Sequence, residues 1–342
     1  MSKLAFLFPG QGAQKSGMGK DFYENSEVSR AFFDQANELL DFDLKEMCFG
    51  EHDELNLTEY TQPCMVSVCL AMVLELEKRG IRPDMTAGLS LGEYAAVATA
   101  GGISFTDAVK LVRKRGILMQ NTVPTGTGAM AAVLGMDAKK IEEILEKFDH
   151  AWIANYNCPG QIVITGLTED VKEASEALKE NGAKRVLPLK VSGPFHSPLL
   201  KSEGDALLKE MESVSFSPLA VPYVANATAE LVTDSAKIPQ LFAKGIASPV
   251  RFQQSIELML KNGIDTFIEI GPGKTLAGFL RKIEPAAKVY NISSWEDLKN
   301  LATPRGASTR QNVCYAAVPC SGAVRRSDFG SPTKSLDREG VS

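Results

Sequence analysis

The chain has 342 residues, 44% hydrophobic and 23% charged, a composition typical of a folded globular protein. Its net charge of -5 argues against the basic face that nucleic acid requires, so we expect no nucleic-acid partner. The sequence has no apolar run near the roughly 18 residues of a membrane span, and its first apolar run is too short for a secretion signal. We therefore expect a cytoplasmic protein without a membrane partner.

Strand and helix patterns alternate along the first hundred residues. Residues 4–8 form an apolar run that ends in Pro-Gly, typical of a buried strand entering a turn. Apolar residues at three- and four-residue spacing predict helices over 28–40 and 62–76. A strand over 85–89 is followed, after a Gly-rich turn, by a helix over 93–100. The order is strand, tight turn, helix.

A second set of strands and helices follows. Strand patterns at 129–134, 161–165 and 183–191 are interspersed with helical patterns at 139–148 and 169–180. This order resembles a small βαββαβ sandwich. Its edges are rich in Gly and Pro, which indicates an insertion into a larger α/β unit.

The larger unit resumes after this insertion. We predict a helix over 198–214, a strand over 221–226, a helix over 252–261 and a strand over 266–270. Beyond residue 301 the chain is rich in Ser, Gly, Pro and Thr and poor in Leu and Ile, so we expect a disordered tail.

The six cysteines are scattered, without CxxC pairs or the Cys/His spacing of a metal site. We expect reduced thiols and no bound metal. Cys64 and Cys69 lie in an apolar helical pattern, where cysteine packs as a small hydrophobic residue.

Residues 88–92 (GLSLG) match the G-x-S-x-G pattern of a nucleophile elbow. Glycines on both sides let the chain turn sharply from strand to helix, which exposes the Ser90 hydroxyl. The pattern lies between a predicted strand and a predicted helix, as an elbow requires. The backbone N–H of Leu91 would then be placed to stabilise an oxyanion.

A serine nucleophile needs a base, and the chain has three histidines. His52 lies among acidic residues, and His150 ends a predicted helix, where the helix C-terminus is sufficient explanation. His196 lies in a loop at the junction of insertion and larger unit, a typical place for a site, and is the predicted base. An orienting acid is not evident, and a backbone carbonyl is the alternative partner for the imidazole.

Arg115 follows the elbow on another predicted helix. Guanidinium binds carboxylates through two parallel hydrogen bonds, so an arginine near the nucleophile would select an acyl group that ends in a carboxylate, such as malonyl. Spacing alone favours a surface position, because charged side chains are mostly exposed.

Several separated motifs, in the same order, resemble those of the malonyl-CoA:acyl carrier protein transacylases of type II fatty acid synthesis. The resemblance covers residues 3–295. The motifs are residues 8–14 (FPGQGAQ), 61–63 (TQP), 88–93 (GLSLGE), 115–116 (RG), 119–120 (MQ), 126–130 (GTGAM), 157–161 (NCPGQ), 193–196 (GPFH), 248–252 (SPVRF) and 271–273 (GPG).

The resemblance implies a ping-pong reaction without a cofactor. Ser90, activated by His196, would take malonyl from malonyl-CoA and pass it to the phosphopantetheine thiol of holo acyl carrier protein. The backbone N–H groups of Gln11 and Leu91 would bind the oxyanion.

The resemblance also implies how the acyl group is recognised. Arg115 would bind the malonyl carboxylate, and Gln62 would line the pocket. Phe195 is a bulky residue like that of malonyl-selective relatives, so malonyl should be preferred over methylmalonyl.

The fold of this family is an α/β hydrolase-like core with an inserted ferredoxin-like subdomain. It implies a discontinuous core of residues 1–124 and 197–300, an insertion at 125–196, and a tail at 301–342.

Two positions differ from the pattern of many relatives. Leu89 replaces the histidine before the nucleophile, and Gly245 stands where a glutamine often supplies the carbonyl that orients the base. Glycine retains that carbonyl, so the base is still oriented if only the backbone oxygen matters, whereas any contribution of the glutamine side chain would be lost.

Other functions share parts of this pattern. A serine thioesterase or hydrolase would use the same elbow but release the acyl group to water. A stand-alone acyltransferase of a polyketide synthase would differ only in its carrier, and a non-catalytic binding module would not need Ser90. We expect a monomer whose acidic carrier is guided by a basic set of side chains: Lys184, Arg185, Lys190 and Lys274.

Overall fold

The computed structural model describes residues 2–122, 124, 126–191 and 193–301. Within these ranges the chain forms a six-stranded and a four-stranded β-sheet with helices packed on them. The predicted disordered tail lies outside the described residues, apart from Leu301. No helix of the described part is long and apolar enough to cross a membrane.

The first part of the chain contains two strands and six helices: β1 (Lys3–Phe8), α1 (Lys20–Asn25), α2 (Glu27–Leu39), α3 (Leu44–Phe49), α4 (Thr58–Lys78), β2 (Met85–Gly88), α5 (Gly92–Thr99) and α6 (Phe105–Gln120). The middle part contains β3 (Gly128–Leu134), α7 (Ala138–Leu145), β4 (Ala151–Cys158), β5 (Gln161–Leu167), α8 (Thr168–Glu180) and β6 (Arg185–Pro188). The last part contains α9 (Lys201–Glu210), β7 (Tyr223–Val224), β8 (Leu231–Val232), α10 (Ile238–Ile246), α11 (Phe252–Lys261), β9 (Ile264–Ile270), α12 (Thr275–Ile283), β10 (Lys288–Ile292) and α13 (Trp295–Asn300).

The six-stranded sheet has the order β10-β9-β1-β2-β7-β8. All neighbours are parallel except β7 and β8, which are antiparallel. Strand β1 is buried on both faces from Leu4 onward, as its uninterrupted apolar sequence predicts for a parallel sheet covered by helices. The carboxyl ends of β1, β2 and β7 therefore meet at one edge of the sheet, where α/β folds place their ligands.

The four-stranded sheet is antiparallel, in the order β4-β5-β3-β6. Side chains of β3 alternate between its faces. Val133 belongs to a core shared with α7 and α8, whereas Met130 and Ala132 belong to the core of the larger unit. The small sheet thus has helices on one face. Its other face is turned toward the edge of the larger sheet where the carboxyl ends of β1, β2 and β7 meet.

The predicted fold class, α/β with a parallel sheet and a separate antiparallel unit, is confirmed. All four strands of the smaller sheet fall within 125–196, while the domain boundaries themselves remain a prediction. The sequence patterns predict no strand at the position of β4.

Three predicted elements need correction. The helix predicted over 198–214 is regular only in α9, because Pro198 opens a separate 3₁₀ turn before it and another 3₁₀ turn follows it. The strand predicted over 221–226 is reduced to β7, and the one predicted over 183–191 to β6. Strand β7 begins directly after Pro222 and β6 ends at Pro188, and proline cannot donate a hydrogen bond to a neighbouring strand.

His150 does not end a helix. Helix α7 stops at Leu145, and His150 lies in the turn before β4.

Four cysteines are free and buried: Cys48, Cys64, Cys69 and Cys158. Cys314 and Cys320 lie outside the described residues.

Candidate active site

Ser90 lies in the turn between β2 and α5, at the edge of the large sheet where its parallel strands have their carboxyl ends. Its φ of 52° is in the left-handed region, a strained conformation that costs a non-glycine residue about 1–3 kcal/mol. The flanking glycines are required by close packing. A Cβ on Gly92 would lie 2.1 Å from the carbonyl oxygen of Phe8, and one on Gly88 would lie 2.0 Å from the carbonyl carbon of Gly92. The structure therefore has the elbow that the sequence predicts.

His196 faces the Ser90 hydroxyl. Ser90 Oγ lies 2.6 Å from His196 Nε2, and His196 Nδ1 lies 2.9 Å from the carbonyl oxygen of Gly245. Because a carbonyl only accepts, Nδ1 carries the proton and Nε2 is left to accept the proton of the serine. Gly245 belongs to the last turn of α10, where carbonyl groups have no partner within the helix. The acceptor is thus a backbone group, and no carboxylate is required.

Burial lowers the pKa of His196 to about 4, and the positive charge of Arg115 acts in the same direction. The hydrogen bond to Gly245 opposes this shift but is the weaker influence. The imidazole is therefore neutral near pH 7, which is the form that can act as a base.

Arg115 is buried on α6, with only 2% of its surface exposed, so the surface position favoured by its spacing is wrong. Its Nη2 donates to Ser90 Oγ at 3.2 Å, and its guanidinium lies 5.2 Å from the centre of the Tyr94 ring. Within the described part of the chain, Nε and Nη1 have no hydrogen-bond partner. A buried cation with free donors is costly unless an anion binds it. The site is thus prepared for an anionic group beside the nucleophile.

A cleft of about 280 Å³ opens in front of Ser90, between the two sheets. Every residue that the sequence proposed for the site lines this cleft: Ser90, His196, Arg115, Gln11, Leu91, Gln62 and Phe195. The Gln62 amide donates to Met119 Sδ at 3.5 Å, and its oxygen is unpaired within the described residues. His52 and His150 are not among the residues that line the cleft. They lie beside Glu46 and Asp170 instead.

Two buried polar residues behind the nucleophile were not given a role from the sequence. Asn226 contacts the Ser90 turn through its side chain, and Glu93 accepts a hydrogen bond from the Asn226 backbone. Burial raises the pKa of Glu93 to about 8, so this group contributes little negative charge to offset Arg115 near neutral pH. The only signals in the sequence were the Glu93 position inside the elbow motif and the Asn226 position at the end of a predicted strand.

The described residues contain no cluster of three or more His, Cys, Asp or Glu side chains that could hold a metal ion.

Residues 5–296 match the family model described as acyl transferase domain, the class that this fold and dyad define. A malonyl CoA-acyl carrier protein transacylase of Bacillus subtilis (strain 168) is 45% identical over 304 residues, which cover 87% of this chain and 96% of the relative. The structure resembles that of MCAT from Streptococcus pneumoniae with a TM-score of 0.84 at 44% identity, covering 87% of this chain and 98% of that one.

A third relative was solved as a malonyl-transacylase in complex with its type II PKS acyl-carrier protein. It has a TM-score of 0.85 at 35% identity and covers 87% of this chain and 98% of that one. The chain belongs to the malonyl-CoA:acyl carrier protein transacylase family, as its motifs indicated.

The lowered pKa of His196 predicts how the rate depends on pH. The base must be neutral to act, so kcat/KM for malonyl-CoA should fall with acid only near pH 4 and should change less than about 1.5-fold between pH 7 and 5.5. Steady-state rates across this range, with brief exposure to acid, check this. A base with the ordinary pKa of about 6.5 would already lose about three quarters of the rate at pH 6, which would contradict the interpretation.

Proposed function

We propose that the protein transfers the malonyl group of malonyl-CoA to the phosphopantetheine thiol of holo acyl carrier protein and so supplies fatty acid synthesis. The observation that carries this proposal is Arg115, a buried guanidinium with free donors beside a serine–histidine dyad. An acyl group that ends in a carboxylate satisfies that charge while its thioester carbon reaches Ser90.

In the first half-reaction Ser90 Oγ attacks the thioester carbonyl carbon as His196 Nε2 takes the hydroxyl proton. The backbone N–H groups of Leu91 and Gln11 are the proposed donors to the oxyanion. The C–S bond then breaks, and His196 returns its proton to the sulfur of coenzyme A. The product is malonyl-Ser90 with a neutral imidazole.

In the second half-reaction the carrier's thiol attacks malonyl-Ser90. His196 takes the thiol proton, and a second oxyanion forms and collapses. The ester C–O bond breaks, and the proton passes from His196 to Ser90 Oγ. The same base therefore serves both half-reactions, and the enzyme returns to its starting state without a cofactor.

Phe195 is the proposed limit on the size of the acyl group. It lines the cleft immediately before His196 and is almost fully buried, so it leaves little room for an α-methyl branch. One methyl group is worth only about 1–3 kcal/mol in an apolar pocket, so the preference for malonyl over methylmalonyl is partial.

A polyketide carrier is the alternative acceptor. A relative 35% identical to this chain was solved with a type II PKS acyl-carrier protein. We further propose that the protein is cytoplasmic and monomeric. We also propose that its two domains meet at the boundaries predicted from the sequence, and the arrangement of the two sheets supports this division.

Replacement of Ser90 by alanine tests the function directly. After mixing with malonyl-CoA, we expect the intact mass of the wild-type protein to rise by one malonyl group and that of Ser90→Ala to remain unchanged, because the variant lacks the attacking oxygen. Holo acyl carrier protein should then remove the adduct and carry it. Rapid loss of the adduct as free malonate would instead identify a thioesterase, and absence of an adduct on the wild type would support a binding module.

Arg115→Ala tests carboxylate recognition. Loss of the paired, charge-assisted hydrogen bonds should lower kcat/KM for malonyl-CoA by about a hundredfold or more, while acetyl-CoA, which has no carboxylate, should lose far less. The measured quantity is the ratio of the two kcat/KM values.

Lys114→Ala is the matched control, because Lys114 is the adjacent residue on α6 but is half-exposed and paired with Glu210. An unchanged malonyl-to-acetyl ratio in Arg115→Ala would show that the guanidinium does not bind the acyl carboxylate.

We also infer where the carrier approaches. Lys184, Arg185, Lys190 and Lys274 are exposed. Lys190 lies between Leu189 and Val191, and Lys274 precedes Thr275; these three neighbours line the cleft. The two lysines therefore flank the cleft mouth and suit an acidic partner.

Salt dependence tests this approach surface. The rate of malonyl transfer to holo acyl carrier protein should fall by about tenfold between 50 and 500 mM salt, because screening weakens steering by charge. Transfer to free pantetheine, a neutral thiol, should be nearly independent of salt.

The double variant Lys190→Glu/Lys274→Glu should slow transfer to the carrier at low salt and flatten its salt dependence. Lys172→Glu, an exposed lysine on α8, serves as the control. A steep salt dependence that survives in the double variant would move the docking surface elsewhere.

A further inference from the structure

Asn226 connects the two ends of the Ser90 turn. Its Oδ1 accepts a hydrogen bond from the backbone N–H of Ser90 at 2.6 Å, and its Nδ2 donates to the carbonyl oxygen of Gly88 at 2.7 Å. The residue lies just beyond β7, the neighbour of β2 in the parallel sheet, and is only 2% exposed. A single carboxamide just beyond the adjacent strand therefore bonds to both the end of β2 and the backbone of the nucleophile.

These hydrogen bonds act on the strained residue. The positive φ of Ser90 is unfavourable for a side chain with a Cβ, so the turn would relax if it were not held. The N–H of Leu89 donates to Phe8 and that of Gly92 to Leu89, whereas the N–H of Ser90 itself donates to Asn226. Rotation of Ser90 to a relaxed φ would redirect this N–H and move Oγ away from His196.

Glu93 extends the network to the helix and towards the base. Its Oε1 accepts from the backbone N–H of Asn226 at 3.0 Å, and its side chain is buried in the first turn of α5. A Cβ on Gly245 would lie 3.7 Å from Glu93 Oε2. The same carboxyl group thus faces the residue whose carbonyl accepts from His196.

We propose that Asn226, supported by Glu93, is a positioning residue for acyl transfer, which holds the Ser90 turn so that Oγ faces His196 Nε2. Neither Asn226 nor Glu93 is among the described residues that line the cleft, so the pair acts on the nucleophile and not on substrate binding. The proposal rests on the proposed function, because it concerns the rate at which Ser90 takes up malonyl.

Two variants test it. Asn226→Ala removes both side-chain hydrogen bonds. Asn226→Asp keeps almost the same shape and the acceptor for Ser90, but it loses the donor and brings a carboxylate oxygen against the carbonyl of Gly88. In both variants we expect the rate constant for acylation by malonyl-CoA to fall by about tenfold to a hundredfold, as loss of one or two buried hydrogen bonds allows. The malonyl-CoA concentration that gives half the maximal rate should change less than about threefold.

Rapid quench followed by intact mass measurement separates positioning from folding. The amplitude gives the fraction of molecules that can be acylated, and the rate constant reports only on those molecules. A partly misfolded preparation therefore still gives the acylation rate constant of its folded molecules, which is the quantity that decides the test. A purely structural role would lower the amplitude and leave the rate constant unchanged, which would overturn the proposal.

Ser26→Ala is the matched control. Ser26 is buried and donates to the buried carboxylate of Glu75, and neither residue is among those that line the cleft. Loss of the Ser26 hydroxyl should lower the free energy of unfolding but leave the acylation rate constant unchanged. A wild-type protein that takes up no malonyl would contradict the proposed function itself, whereas variants that acylate at the wild-type rate constant would contradict only the role of Asn226.

Discussion

The hydrogen bond between Ser90 Oγ and His196 Nε2 is the interaction on which the rest of the site depends. It joins residues 106 positions apart in the chain, one in the elbow of the large sheet and one in the segment that returns from the smaller unit. The smaller sheet must therefore begin and end near the carboxyl edge of the larger one. This requirement gives the cleft its position between the sheets, because the same return segment carries Phe195 and His196 to its wall.

Burial determines the charge states of His196 in the cleft and of Glu93 behind the nucleophile. The imidazole is kept neutral, the Glu93 carboxyl is largely kept from ionising near pH 7, and Arg115 remains charged because guanidinium does not lose its proton in proteins. One uncompensated positive charge therefore remains beside the nucleophile. An enzyme that only hydrolysed neutral acyl groups would gain nothing from this cost, whereas in the proposed binding mode the malonyl carboxylate would offset it.

Local patterns in the sequence predicted much of the fold and site. The elbow could be recognised because glycines at 88 and 92 are required by contacts within a few residues and one neighbouring strand. The burial of Arg115 could not be read from spacing, because the packing of α6 against other helices decides it. The contacts of Asn226 were equally hidden, since they depend on β7 lying next to β2. The family resemblance is confirmed, whereas the role of Arg115 in binding the malonyl carboxylate, which the resemblance implied, stays a prediction.

The absence of an acid beside His196, within the described residues, has a physical advantage. A carboxylate at the position of the Gly245 carbonyl would raise the pKa of the imidazole and would bring a negative charge near Arg115. It would thus offset the positive charge that we propose binds the malonyl carboxylate. A helix C-terminal carbonyl orients the imidazole without a full charge, so the base stays neutral and the arginine stays free. The first half-reaction also demands less of the dyad than amide hydrolysis, because a thiolate is a far better leaving group than an amine. The dyad therefore suits the proposed selection of a carboxylate by the remaining free donors of Arg115.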